Sequence, residues 1–428
     1  KDYVQISVNK FFIYLILLIF LSNCGLVKKD VVEENPNTKV LFEKSKPIKQ
    51  ELNPNLNIKI TNVTKGEPFL TNTSNNSGNI NFSTNFEKIS SYKFSSIEQF
   101  NFNQPEIFYS NDGSILSFNG KGEIFKISKD LEEIWEVNHY TKKEKKLKPI
   151  LYFAQSGPDI IVIDTLSKVY SIKQSTGDLN WMIDSKSGFN SNTKVTKNRI
   201  IAVDFDNFIR AFSTTDGKEI WNFDTDNPFI KSQKKLSLVI KGEVVFFINS
   251  IGDITALNVN DGSLVWQTPT QSTVIFQDAF TLENSDIIFA NDTIYFSNNR
   301  NEFFAIDARS GALRWKQTIN SSLRPTVIDN YVFSVSLEGY LFVIDDQTGN
   351  VLRITNILKN IENKKNRIVP TGFIIANNKL YTSLNNGRIL KSDILNNADE
   401  GEYKIGKSKI SRPNVFNDSM YVLKSNAI

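Results

Sequence analysis

One histidine and one cysteine in 428 residues leave little material for the commonest kinds of site chemistry. A structural zinc centre needs several His or Cys ligands, a Ser-His-Asp triad needs a histidine oriented by a carboxylate, and a disulfide framework needs paired cysteines. His139 follows a Trp in a stretch rich in Tyr and Lys, and reads as a solvent-facing loop residue. Charge of one sign is also lacking. The 50 Lys and Arg nearly balance 46 Asp and Glu, and a net charge of +4 gives no field strong enough to gather nucleic acid. Catalysis is disfavoured by this inventory, and no cofactor is implied by it.

Long apolar runs are missing except for one. Phe11 to Leu21 is unbroken and follows a basic flank. As a helix it rises only ~16 Å, short of a ~30 Å hydrocarbon core. That length fits the apolar region of a signal peptide. Leu21, Ser22 and the only cysteine, Cys24, come directly after it and resemble the lipobox of bacterial lipoproteins, with Asn23 departing from the usual small residue. The resemblance implies acylation of Cys24 after removal of residues 1–23, and Gly25 beside it implies sorting to the outer membrane. Residues 24–80 are rich in Asn, Lys and Pro without sustained apolar periodicity, so a flexible tether is expected there. Short apolar pieces such as Leu56 to Ile60 are candidates for docking on a folded body.

What is abundant is aromatic: 32 Phe and 13 Tyr favour strands. All five Trp fall on one motif, Ala-x-Asp/Asn-x3-Gly-x3-Trp, recurring at roughly 45-residue intervals. Gly177 with Trp181, Gly217 with Trp221, Gly262 with Trp266 and Gly311 with Trp315 are full copies. Gly349 is followed by Arg353 in place of Trp, and Trp135 closes a shorter copy without glycine. Each copy reads as a β-hairpin, the glycine supplying a left-handed turn residue. Each is preceded by another strand pair, such as Arg199 to Asp204 with Asn207 to Phe212. Three or four short strands per repeat predict an all-β propeller of four-stranded antiparallel blades over residues 81–428. Eight blades are expected, with seven as the alternative. Ring closure requires a strand from the N-terminal side, and Gly78 to Ser83 or Tyr92 to Phe94 are the candidates.

The repeat resembles that of the quinoprotein, or PQQ-type, propellers, in which the Trp docks on the neighbouring blade. With the lipobox, the tether and the blade count, the chain is similar to BamB-type lipoproteins of the outer-membrane β-barrel assembly machinery. The stretch from Arg324 and Pro325 through Gly339 and Tyr340 is especially close. That resemblance implies a non-catalytic scaffold on the periplasmic face of the outer membrane. It would hold the periplasmic repeats of the barrel-inserting subunit while acyl chains anchor it in lipid. Two connectors are the implied partner site. One holds Phe229, Ile230 and Lys231, and the other holds Asp278, Glu283 and Asp286, although these residues also suit internal packing.

Two alternatives remain at this stage. A quinoprotein dehydrogenase would carry an adjacent Cys pair, calcium-ligating carboxylates and often a haem motif, whereas Cys24 stands alone. A lipoprotein that binds glycan or cell-wall material through propeller loops is the third reading. The lysine-rich run from Thr141 to Lys148 reads as a solvated loop. Ile354, Ile357, Leu358 and Ile361 sit at helical spacing and suggest a short helical insertion.

Overall fold

The computed structural model describes residues 46–60, 89–97, 100, 105–225, 234–270, 281–361, 367–396, 398–416 and 419–428. Within Ser45–Ile428, seven four-stranded antiparallel sheets follow one another along the chain. They span residues 108–137, 151–184, 194–224, 238–268, 288–317, 326–356 and 370–404, here blades 1 to 7. An eighth, smaller sheet begins with Asn414–Phe416 and Ser419–Tyr421. In blades 1 to 6 the inner strands are largely buried, and in blades 3, 4 and 5 the last strand buries only its Trp, as at Leu313–Gln317 where only Trp315 is buried. That pattern is the period-2 alternation of a sheet edge with one wet face.

The eighth blade is completed from the other end of the propeller. Tyr92 exchanges backbone hydrogen bonds with Ile428, 3.0 Å in each direction, and the Phe94 and Ile97 amides donate to Asn426 and Ser425. Of the two predicted closing segments, Tyr92 to Phe94 fills the role, and Gly78 to Ser83 lies outside the described residues. Apolar clusters then run between consecutive blades all the way round. The cluster joining blade 8 to blade 1 includes Ile107, Tyr109, Phe125, Phe416, Tyr421 and Leu423. The all-β propeller reading holds, with eight sheets.

The repeat motif has a geometric logic beyond its turn. The small residue at its start lies directly across the ladder from the Trp: Ser171 from Trp181, Ala211 from Trp221, Ala256 from Trp266, Ala305 from Trp315. Blade 1 departs from this, with Lys126 across from Trp135. Immediately after that pair the register shifts by one residue, a bulge found in blades 1 to 7. Each Trp then reaches the next blade. Its Nε1 donates to a backbone carbonyl there, from Trp135 to Gln174, Trp181 to Thr214, Trp221 to Val259, Trp266 to Ala308 and Trp315 to Asp346, at 2.8–3.1 Å.

The glycines are doubly constrained. Gly262 has φ +75°, and a Cβ placed on it would stand 2.6 Å from the Trp221 ring; Gly349, at φ +74°, would meet Trp315 at the same distance. A left-handed residue with an indole pressed on its Cα admits no side chain. Blade 1 receives no Trp from blade 8, and its turn uses Leu131 at φ +65° instead of glycine. Glycine accompanies the incoming Trp, not the hairpin alone.

Three local expectations change. His139 is half-buried, with Nε2 3.0 Å from the Gly177 carbonyl and its ring edge-on to Tyr170, because it packs on the next blade. The lysine run is a capped helix, α1 (Lys142–Lys146), held by reciprocal Thr141 and Glu144 hydrogen bonds. Over the described residues 354–361 the expected helical insertion does not form. Ile354 belongs to the strand Val351–Asn356, and a turn follows it in which Leu358 packs against Gly339. Sheet pairing there outweighs the helical spacing of four apolar residues.

Residues 46–60 lie along blade 6. Leu52 and Ile354 exchange backbone hydrogen bonds, Tyr340 donates its hydroxyl to the Lys49 carbonyl, and Ile58 is buried beside Phe373 and Leu395. The segment joins the outer strand of that blade through the single bridge of Leu52 to Ile354.

Candidate functional site

Partner and ligand sites in propellers sit where the connectors between blades gather, because those loops change without disturbing the ring. Here six connectors gather at one mouth of the central channel. The residues just before the first strands of blades 1, 4, 5, 6, 7 and 8 line a single cavity of about 460 Å³. Glu106, Lys235, Asp286, Arg324 and Arg412 all stand two or three residues ahead of a first strand, so one phase of the repeat supplies them all.

These side chains form one ionic network. Lys235 Nζ lies 2.9 Å from Glu106 and 3.2 Å from Asp286. Arg412 reaches the same two carboxylates, at 3.1 and 3.3 Å, and Arg324 approaches Asp286 at 4.0 Å. Burial alone would raise the Glu106 and Asp286 carboxyls, but Lys235, Arg412 and Arg324 outweigh it and hold both below the usual range. Burial also lowers the cations. Arg324 is brought down to about 9, with Arg412 adding to the effect against Asp286 and Glu106. Lys194, buried at the start of Lys194–Thr196, is brought down to about 7 by burial, with Arg324 and Lys235 adding to it. Lys235 moves the other way, because its two carboxylates overcome its burial.

The sequence-predicted partner residues fall partly on this mouth. Glu283 pairs with Lys234 and also accepts from Ser322 Oγ at 3.5 Å. Asp286 sits deeper, inside the network. These two acids are engaged internally. Phe229, Ile230, Lys231 and Asp278 lie outside the described residues, as does Cys24. Glu106 and Arg412 went unnoticed in the sequence, and Arg324 and Lys235 were not linked to them, because each is a charge in a different repeat. Aligning the repeats on their first strands would have put them in one column.

A second missed residue is Arg353. It occupies the Trp position of blade 6, paired across the ladder with Val343, and is fully buried. Its Nη2 donates to the Ile394 carbonyl at 2.5 Å, and its Nη1 donates to Leu395 at 3.0 Å and to Leu56 at 2.9 Å. The guanidinium therefore ties together blade 6, blade 7 and the segment 46–60.

The family model described as outer membrane protein assembly factor BamB matches residues 120–355, more than half of the chain. No curated protein sequence matches. Among solved structures, BamB from Moraxella catarrhalis is similar at a TM-score of 0.63 and 14% identity, covering 80% of this chain and 95% of that one. The quinohemoprotein alcohol dehydrogenase ADHIIG from Pseudomonas putida HK5 is similar at 0.57 and 11%, covering 78% and 70%. The computationally designed Ika8 protein is similar at 0.55 and 14%, covering 77% and 98%. At these identities the likeness is one of fold.

Proposed function

This chain belongs to the outer membrane protein assembly factor BamB family, and from that premise we propose that it is a non-catalytic scaffold for assembly of outer-membrane β-barrel proteins. The observation that carries the reading is the family match over residues 120–355, from blade 1 into blade 6. The lone Cys24 after an apolar run supports anchorage by acylation on the periplasmic face, with residues 1–23 removed and residues 24–80 leading to the propeller. In this reading the stretch 46–60 fixes where the tether leaves blade 6.

The partner is the barrel-inserting subunit, engaged through its periplasmic repeats by the connectors that hold Lys231 and Glu283. A scaffold rather than a dehydrogenase is favoured because the single cysteine leaves no adjacent pair. Among the described residues no group of three or more His, Cys, Asp or Glu is arranged to hold a metal ion.

Pull-down of the periplasmic repeats by the full chain tests the role, and micromolar binding is expected. Lys231→Glu and Glu283→Lys should each weaken it. Silence of both variants with binding retained would move the site elsewhere on the ring. No binding by the parent chain would end the proposal.

A further inference from the structure

The helix α1 gathers lysines that no carboxylate answers. Among the described residues, Lys142, Lys143, Lys145 and Lys146 enter no ion pair. The one acid of the helix, Glu144, is turned away from them. It closes the Thr141 cap and pairs with Lys168 of blade 2 at 3.0 Å. Glu123 and Glu136, at the same end of blade 1, are hydrogen-bonded to each other. Lys121 adds to the positive side, exposed in the turn whose carbonyl accepts from Asn138 at 3.3 Å, just before the helix.

A solvated loop has no need of this arrangement. Like charges three and four positions apart repel on a helix, and cations in its first turn oppose the helix dipole. Lys142 faces Lys145 and Lys146 at those spacings, and Lys143 faces Lys146. Five residues have no intrinsic helical stability to spend on such repulsion. The fold nevertheless fixes them, with a complete capping box and a salt bridge to the next blade. The product is a rigid basic knob. Lys143, Lys146 and Leu147 share one face, and Leu147 is 64% exposed. An apolar side chain set among exposed lysines suits an anionic lipid surface, where headgroups attract the cations and the leucine enters the interface. A nucleic acid would use the lysines and gain nothing from the leucine.

The place of α1 on the ring points the same way. It lies in the connector that leaves the last strand of blade 1. Last strands of successive blades run in one direction, so all such connectors open on one face. The segment 46–60 begins at that face. Glu51 Oε1 accepts from the Asn356 amide at 3.0 Å, where the last strand of blade 6 ends, and the Lys49 carbonyl accepts from Tyr340, at the start of the strand beside it. The N-terminal end of the segment therefore joins the propeller on the face that carries α1.

We infer that α1 docks on an anionic phospholipid surface, with Lys142, Lys143, Lys145 and Lys146 at the headgroups and Leu147 in the interface. This docking goes beyond the assembly role, and it rests on that reading only for the membrane anchor that brings this face to lipid.

Cosedimentation of the full chain carrying Cys24→Ser, which removes acylation, tests the docking on neutral phosphatidylcholine vesicles and on vesicles that are about one-third phosphatidylglycerol. The apolar run 11–21 is common to every arm. Partitioning should favour the anionic vesicles about a hundredfold at low salt, and the preference should collapse as salt is raised. Lys143→Gln combined with Lys146→Gln should cut it about tenfold or more. Leu147→Ser should weaken vesicle binding several-fold and leave binding of a single-stranded oligonucleotide unchanged. All three side chains are exposed, so the melting temperature should hold in each variant. Equal partitioning into both kinds of vesicle overturns the inference, as does a lysine variant that keeps the parent's preference. Oligonucleotide binding as tight as vesicle binding, with Leu147→Ser silent on the vesicles, overturns it too. Pull-down of the periplasmic repeats reads the assembly role separately, and its failure with vesicle binding intact would sink that role alone.

Discussion

The junction of blades 5 and 6 and that of blades 6 and 7 solve one problem in two ways. At the first, Trp315 lies across from Ala305, donates one hydrogen bond of 2.8 Å to Asp346, and rests on Gly349. At the second, Arg353 lies across from Val343 in the equivalent place, with no glycine awaiting it in the turn of blade 7. The indole seals its junction with apolar area and spends its single donor within the ring. The guanidinium has more donors than the ring accepts, and one of them holds the Leu56 carbonyl of the segment 46–60. Exchanging an apolar seal for a polar clamp thus lets the junction also hold the segment that bridges the outer strand of blade 6 at Leu52. Burial lowers the Arg353 guanidinium against the opposing pull of Asp393, so the clamp works at an electrostatic cost that the apolar seal avoids.

Truncating the seal should have the largest effect. Trp315→Ala is expected to destabilise the propeller by about 3–5 kcal/mol in denaturant unfolding, with the segment 46–60 still protected. Removing the clamp sharpens the contrast. Arg353→Leu removes the guanidinium donor from the Leu56, Ile394 and Leu395 carbonyls, of which Leu395 keeps the Ile58 amide, and should cost about 2–4 kcal/mol. Unlike the Trp315 variant, it should also open residues 46–60 to protease or hydrogen exchange under native conditions. Retained protection there would show that the clamp is not what holds the segment.

Glycine substitution separates turn strain from the close approach of the ring. Gly242 has φ +60° with nothing within 4 Å of its would-be Cβ, so Gly242→Ala should cost only about 1 kcal/mol of left-handed strain. Gly349→Ala adds the collision with Trp315 and should cost about 2–3 kcal/mol. Equal losses would mean that the indole yields freely.

The smallest effect is expected at the junction of blades 8 and 1, which uses neither Trp nor Arg. Tyr92 and Phe94 pack on Phe125 at 5.2 and 4.9 Å, and the Tyr92 hydroxyl donates to Glu133. Nearby, the Glu136 carboxyl is pushed up to about 7, first by its hydrogen bond with Glu123 and then by burial and the two neighbouring acids. Its folded value stands above the ordinary one, so the folded state holds the extra proton and its contribution fades as pH rises from about 4.5 through 7. Glu136→Gln should flatten that part of the stability profile and raise the melting temperature slightly at pH 8. A profile unchanged by the substitution would place the pH dependence elsewhere.

Much of the ring was legible in the sequence. Gly177, Gly217, Gly262, Gly311 and Gly349 marked the hairpins, and Tyr92 to Phe94 was one of two segments named for closure. Of the channel network, Asp286 and Arg324 were noticed, each for a different reason, and Glu106 and Arg412 were not. Glu106 and Arg412 stand 306 positions apart yet meet at 3.1 Å, and no window along the chain contains both. His139 was misjudged for the same reason, since the carbonyl it meets belongs to the next blade.

By itself the sequence determined the unit: strand, turn, bulged strand, and an aromatic side chain opposite a small one. Those features depend on φ preferences and on side chains within about a dozen residues of one another, so local chemistry is enough to set them. Only the tertiary structure decided why the glycines must be bare, what Arg353 holds, and that scattered charges from five repeats meet in one ionic network. Each of these depends on one blade meeting another, and such meetings exist only once the ring has closed.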